Sequence, residues 1–401
     1  MTSVTPAALP PIVQTTPVAW LKKNLFSTWY NVLITLTLVW LLGKTALDFF
    51  RWALQTAQWE VISANLPLYF VGQYPADQFW RLWLILEILV ILAGLTWGVV
   101  SKNARTFFGS VPLVIAAVIA AIVVVTPTPL PYRLGLLGTE LVLFTSGWIG
   151  YRMVQRTDRL FKVLSIAWPL SFVLILWLLI GGVGLKQVQS NMLGGLVLTV
   201  LAALVSSILA FPLGILLALG RQSSLPAVSW ISTGFIEVIR GTPLTAILFV
   251  GAVMLPYFLP PDIRPDLVLR TIVGLTLFCM AYTAETIRGG LQAIPKGQFE
   301  AASALGLNRP LSLSLIVLPQ AIKIVIPAMV GLFIQMVQET TLISIVGLSE
   351  LFRISRSILS NPLFIGRYAE VYLFIGLLYW VICYSMSIGS RRLEERLRTS
   401  H

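Results

Sequence analysis

Long apolar runs separated by short polar segments dominate this chain. They lie at about 28–48, 82–100, 108–126, 134–152, 163–184, 192–219, 230–255, 269–288, 322–348 and 369–389. Each is long enough to cross a hydrocarbon core of roughly 30 Å as an α-helix. The runs are continuous rather than alternating, which argues against a transmembrane barrel. The pattern predicts an all-α integral membrane protein of about ten transmembrane helices. Two stretches stand apart from it. The segment 49–81 carries Trp52, Trp59, Tyr69, Phe70, Tyr74, Phe79 and Trp80. Such aromatics favour the headgroup layer, so part of this segment is expected to lie along the outer surface as an interfacial anchor, with docking of a soluble partner as the alternative. The second stretch is a polar, helix-prone island from Ile294 to Pro319.

Composition and charge sharpen this picture. With 57% hydrophobic and 11% charged residues, the chain could not hide its apolar surface in a soluble core. The net charge of +12 is scattered in short clusters beside the apolar runs, so it reads as a topology signal rather than a nucleic-acid-binding tract. Threading ten spans puts Lys22, Lys23, Lys102, Arg105, Arg152, Arg156, Arg159, Lys162, Arg221, the polar island, Arg391, Arg392, Arg396 and Arg398 on one side. By the positive-inside rule that side is the cytoplasm, and an even number of spans puts both termini there. Residues 1–27 are expected to be a cytoplasmic tail, disordered over the uncharged Pro-, Thr- and Ala-rich first twenty residues. No small-residue cleavage site follows the first span, which is therefore retained. Residues 391–401 form the carboxy-terminal tail.

Ionisable residues divide the membrane part in two. Residues 28–189 hold about five helices with little internal charge beyond Glu87 and Glu140, and are expected to be an accessory, lipid-facing region. Residues 190–390 carry Glu237, Arg240, Glu285, Gln335, Gln338 and Glu339 within apolar runs, which marks the working half, because such groups are costly in lipid and usually face a bundle interior or aqueous cavity. Cys279 and Cys383 fall within spans, where a packed thiol is the usual state. The single His, at position 401, and the lack of clustered Cys give a triad or zinc site little support, and the one Gly-Lys-Thr, at Gly43, lacks the glycine a phosphate loop needs at Leu38. No catalytic residue, metal or cofactor is expected in this chain.

The polar island has its own physical logic. Pro295 precedes good helix formers from Lys296 to Leu305, with Phe299, Ala302 and Leu305 at three-residue spacing, and Gly306 suits a left-handed residue ending that helix. A second helix is expected after Asn308, with Pro310 in its first turn and Pro319 breaking it before the next span. Small residues at Ala301, Ala302, Ser303 and Ala304 let another surface approach closely, and Glu300 offers it a charge.

Glu300, Ala301, Ala302, Gly306, Ile316, Leu318 and Pro319 match the EAA signature of ABC importer membrane subunits position for position. The segment from Ala281 through Pro319, with Arg240 to Pro243 (RGTP) and Thr340 to Gly347 (TTLISIVG), resembles the permease subunits of polar amino-acid ABC importers of the histidine and glutamine type. The resemblance covers about residues 190–390. Lys23 to Ser27 and the extra spans are similar to the branch that imports a broad range of L-amino acids. What the resemblance implies is an inner-membrane permease that translocates amino acids into the cytoplasm. Its signature residues would be a coupling helix seated in a cytoplasmic ABC ATPase, beside a second permease, identical or not, and a periplasmic amino-acid-binding protein. One departure concerns charge. Where relatives carry Lys-Asp-Thr, this chain has Gln338-Glu339-Thr340.

The candidate translocation path comprises Glu237, Arg240, Thr242, Gln335, Gln338 and Glu339. Arg240 could meet a substrate carboxylate beside the backbone freed by Pro243, but pairing with Glu237, three residues earlier, is the cheaper state in lipid. Gln335 and Glu339, four apart, either line a polar route or hydrogen-bond between helices. Glu285 and Arg288 are expected to form a local pair. Two rivals stand beside this reading: an ion-coupled secondary transporter, against which the signature weighs, and a membrane scaffold holding an ATPase.

Overall fold

A computed structural model describes residues 16–101, 116–117, 120, 123, 129–156 and 159–398. The described residues fall into two compact units that part between Trp59 and Glu60. The first holds α1 (Pro17–Asn24) and α2 (Trp29–Arg51), the latter running on through a wide π-type turn at Trp52–Thr56. Of the stretch 1–20 expected to be disordered, residues 1–15 lie outside the described residues, and from Pro17 the chain forms the helix α1. Pro17 occupies its first turn, and the Thr16 hydroxyl accepts a hydrogen bond from the Ala19 N–H at 3.3 Å, so local capping suffices to start it.

The second unit begins with two short helices, α3 (Glu60–Ser63) and α4 (Leu66–Val71). Long helices follow: α5 (Phe79–Val100), α6 (Leu130–Val154), α7 (Arg159–Ile180) and α8 (Gly195–Arg221). Next come α9 (Pro226–Gly241) and a helical stretch α10 (Leu244–Phe258), then α11 (Leu267–Gln292), the short α12 (Lys296–Ala304) and α13 (Arg309–Ser312). The chain closes with α14 (Leu318–Glu339), α15 (Leu351–Leu359) and α16 (Tyr368–Arg398).

Among the described residues, seven helical stretches are long and apolar enough to cross a membrane, and the α9–α10 pair makes an eighth if counted as one span. The expected span 134–152 is the helix α6, whose composition leaves it outside that count. Most of 108–126 lies outside the described residues. The run 230–255 is not one straight span, because α9 and α10 meet at a bend of 107°. Thr242 and Pro243 are extended there, since Pro243 has no N–H to continue the helical ladder.

Two further prolines are absorbed instead of breaking a helix. Pro319 sits in the first turn of α14, and the chain stays helical from Arg309 to Val346. A π-type turn at Leu313–Val317 precedes it, with the Leu318 N–H bonded to the Leu313 carbonyl. That wider turn moves the Leu315 carbonyl away from the proline ring, which is why the expected break does not occur. The same device recurs at Phe249–Met254 before Pro256. Pro256 cannot donate to the Ala252 carbonyl, and the Arg270 guanidinium donates to it in its place.

The core lies among α8, α10, α11 and α14, around Leu198, Leu248, Leu275, Ile287 and Met336. Helices α8 and α11 run parallel. Ser206 pairs with the Ile272 carbonyl, and eight residues on Gly214 lies against Met280 and Thr283. Small residues set this spacing, as is usual where lipid supplies no hydrophobic drive between helices: Ala210 and Ala218 are fully buried at the same seam. Helices α5 and α6 meet as closely, Gly94 and Gly98 lying against Ser146, Gly147 and Gly150.

The aromatic segment is only partly an interfacial anchor. Val61 and Tyr69 are fully buried, Tyr69 meets the Phe374 ring edge-on at 5.1 Å, and the Tyr74 hydroxyl donates to the Leu179 carbonyl at 2.9 Å. Its stretch 60–81 is thus wedged into the bundle end rather than laid along a surface, because these side chains find protein partners there. Trp80 stays half exposed. At the same end Gly72 pairs with Leu193, and the Gly195 N–H donates to the Ser349 carbonyl.

Candidate functional site

Helix α12 and its exit follow from three residues. Pro295 precedes the first turn, and Gly306 adopts a φ of +76°. The Gly306 N–H reaches the Ser303 carbonyl at 3.0 Å and the Leu307 N–H the Ala302 carbonyl at 3.1 Å, the paired bonds of a Schellman ending. Asn308 then starts α13, its side-chain oxygen accepting from the Leu311 N–H at 3.1 Å. The expected helix, sharp turn and helix are all present.

Of the signature residues, Glu300, Ala301, Gly306 and Pro319 are exposed, Ile316 and Leu318 half-buried, and Ala302 wholly buried. Phe299 packs on the core, whereas Leu305, expected on the same face, is 77% exposed. The element therefore roots through Ala302 and Phe299 and turns its other side outward. Gln298 and Gln320 bond at 3.1 Å across its two bases. Gly290, near the end of α11, abuts Ala321 and Val325 at the start of α14.

Close by on the same bundle end lies an ionic cluster. Glu285 of α11 pairs with Arg221, the last residue of α8, at 3.3 Å and with Arg240 of α9 at 3.4 Å. Its other oxygen engages Arg288 in the same helix, as expected from the spacing. Glu237 does not pair with Arg240. It meets Arg221 at 3.0 Å, because α9 lies across the end of α8, where the Ser229 hydroxyl also donates to the Arg221 carbonyl. Arg240 instead reaches Glu285 and stacks over the Tyr282 ring at 5.5 Å. In sequence Arg221 stands out only as a topology signal, although a basic residue closing a helix is a natural partner for acids on neighbouring helices.

The remaining candidates fall elsewhere. Thr242 lies at the α9–α10 bend and lines an apolar groove of about 570 Å³, bordered also by Ile239, Ala246, Leu269 and Arg270. Gln335 donates to Glu339 at 3.3 Å along α14, and Gln335 and Gln338 are exposed. The structure thus links Glu237 to Arg240 only through the Arg221–Glu285 pair and leaves the α14 stripe as a separate outward face.

Residues 210–399 match the model of the binding-protein-dependent transport system inner membrane component family. The inner membrane amino-acid ABC transporter permease protein YhdY of Escherichia coli K12 is 35% identical over 397 residues, covering 95% of this chain and 93% of that protein. The chain belongs to the amino-acid ABC importer permeases. The glutamate/glutamine/aspartate/asparagine transport system permease protein BztC of Rhodobacter capsulatus is 33% identical, over 98% of this chain and 96% of its own length. A solved amino acid ABC transporter with histidines is 31% identical over 49% of this chain and 90% of that one, with a TM-score of 0.45. As a member of this family the chain is a multi-pass inner-membrane permease of an ATP-driven importer. The ATPase activity lies in a partner subunit, and the family works with a second permease and a periplasmic binding protein.

Proposed function

We propose that Lys296–Ala304 is the surface this permease offers to its ATPase, with Glu300, Ala301, Ala302, Gly306, Ile316, Leu318 and Pro319 making or shaping that contact. The observation that carries this reading is the helix rooted by a wholly buried Ala302, ended at Gly306, and exposing Glu300 and Ala301 between the bases of α11 and α14. A push on the exposed side reaches both helices through Ala302, Phe299 and Gln298. The path for amino acids draws on Glu237, Arg240, Thr242, Gln335, Gln338 and Glu339 of the core 190–390, with 28–189 as an accessory region. ATP binding in the partner would shift the balance between conformations open to one face or the other, through contacts that differ between them.

Both termini lie in the cytoplasm in this reading. Lys22 and Lys23 near one end and Arg391 and Arg392 near the other support it. So does the course of α16, which leaves the end holding Glu350, where the Tyr379 hydroxyl meets that side chain, and runs back towards the coupling loop.

Substituting Gly306 by valine tests the coupling role. A Cβ there meets nothing within 4 Å, so the change acts chiefly through the positive-φ backbone. Holding an L-residue in this left-handed position costs about 1–2 kcal/mol, which the turn relieves by re-aiming α12. ATP-driven uptake should fall at least about tenfold, a change equivalent to some 1.4 kcal/mol. Undiminished uptake with normal ATPase association would reject the assignment.

A further inference from the structure

We propose that Glu285 is a positioning residue that latches the bend at Gly241–Pro243 and the end of α8 to the helix leading into the coupling loop. The inference rests on the reading of Lys296–Ala304 as the ATPase contact and adds to it the route by which movement leaves that contact. Glu285 is the one carboxylate of the cluster bonded to three guanidinium groups: Arg221 at the end of α8, Arg240 one residue before the bend, and Arg288 on its own helix. Seven residues after Glu285, α11 ends, and the coupling helix follows at once. On the far side of Arg240, Thr242 borders the apolar groove. Coupling helix, Glu285, Arg240 and groove are therefore joined in sequence.

Two features suit this cluster to a latch rather than a fixed clamp. The side chains of Glu285, Arg221, Arg240 and Arg288 retain 23%, 25%, 33% and 30% exposure, so water screens the pairs and they part more readily than buried ones. Arg240 also has a second foothold. Its guanidinium lies over the Tyr282 ring, while its Nε is buried without a hydrogen-bond partner, so the Glu285 contact leaves the group incompletely satisfied. Three arginines face two carboxylates, Glu237 and Glu285. On leaving Glu285, Arg221 keeps Glu237 and Arg240 keeps the Tyr282 ring.

The test uses the full complex of permeases, ATPase and binding protein in proteoliposomes and reads amino acid moved per ATP hydrolysed. Glu285→Gln should lower this ratio at least about tenfold while the complex still assembles and hydrolyses ATP, tenfold being the effect of a 1.4 kcal/mol loss. Arg240→Gln should do the same, and the double variant should be scarcely worse than either, since both remove one link. Arg288→Gln, which removes only the contact within α11, should change the ratio by less than about twofold, within the range of a surface pair. Glu285→Asp supplies a conservative variant should the amide disturb folding, and partial recovery of the ratio is expected from it. A wild-type ratio in Glu285→Gln, additive losses in the double variant, or an equal loss in Arg288→Gln would each overturn the proposal. Failure of the coupling reading itself is distinguishable, because it would appear as undiminished uptake in the Gly306 variant whatever Glu285 does.

Discussion

Gly289 and Gly290 are adjacent in one helix, yet adding a methyl group to each should have opposite effects. A Cβ on Gly290 would sit 2.5 Å from Val325 Cγ1 and 2.9 Å from the Ala321 carbonyl oxygen. One obstacle is a stiff β-branched side chain and the other is backbone, so neither yields cheaply. To restore ordinary contact α11 and α14 must part by about 1 Å, an overpacking that costs roughly 1–3 kcal/mol. Alanine returns about 0.5–1 kcal/mol of helix propensity over glycine. The net for Gly290→Ala is a loss of up to about 2.5 kcal/mol. A Cβ on Gly289 meets nothing within 4 Å, so Gly289→Ala keeps only the gain. Thermal unfolding of the detergent-purified complex reads the sign directly, and ATP-driven uptake reads the functional cost at the loop bases. Equal shifts for the two variants, or a larger loss at Gly289, would show that the α11–α14 contact is not as close as described.

Two other expectations concern opposite parts of the molecule. Glu350, outside the apolar spans, is wholly buried, its two oxygens accepting from the Phe352 and Arg353 N–H groups at 2.7 Å each and the Tyr379 hydroxyl nearby. Burial outweighs these bonds and pushes its carboxyl from 4.5 up to about 7. Between those values the folded chain holds a proton that the unfolded chain has released, so stability contributed by this group is full below pH 4.5 and lost as pH rises through about 7. The total is on the order of 3 kcal/mol, and unfolding measured from pH 5 to 8 should show this slope in the wild type and not in Glu350→Gln. In the other region, Gly98→Ala should loosen the α5–α6 pair, because its Cβ would lie 2.1 Å from the Gly147 oxygen and 2.5 Å from the Tyr151 nitrogen. A loss of about 1–3 kcal/mol is expected by unfolding, and unchanged stability would contradict the seam.

Much of this architecture was legible in the sequence because lipid enforces it: a helix crossing a membrane must be a long apolar run, and such runs are visible by eye. The coupling element was legible for a different reason. Pro295, Gly306 and Asn308 each dictate backbone geometry locally, and each behaves as its chemistry demands. Local rules failed where tertiary placement decides. Three-residue spacing brought Arg288 to Glu285 but not Arg240 to Glu237, since α9 lies across the end of α8 and Arg221 claims Glu237 first. Nothing in the spacing of residues 221, 240 and 285 announces that they meet. Likewise Tyr69 and Tyr74 look like headgroup anchors until α16, with Phe374, and α7, with the Leu179 carbonyl, supply a place to bury them.

The wide turn at Leu313–Val317 has a consequence far from where it sits. A π-type turn holds one more residue than an α-turn, so everything after it is rotated by one residue, about 100°, relative to an uninterrupted helix. Some twenty residues on, Gln335 and Gln338 point outward while Met336 and Val337 point in. The compass bearing of that polar stripe is therefore set at the foot of the helix. Deleting a single residue from 313–317 would let the turn close as an ordinary α-turn and keep the stripe's bearing, whereas deleting one from the regular helix beyond it would turn the stripe by about 100° towards the wrong neighbours.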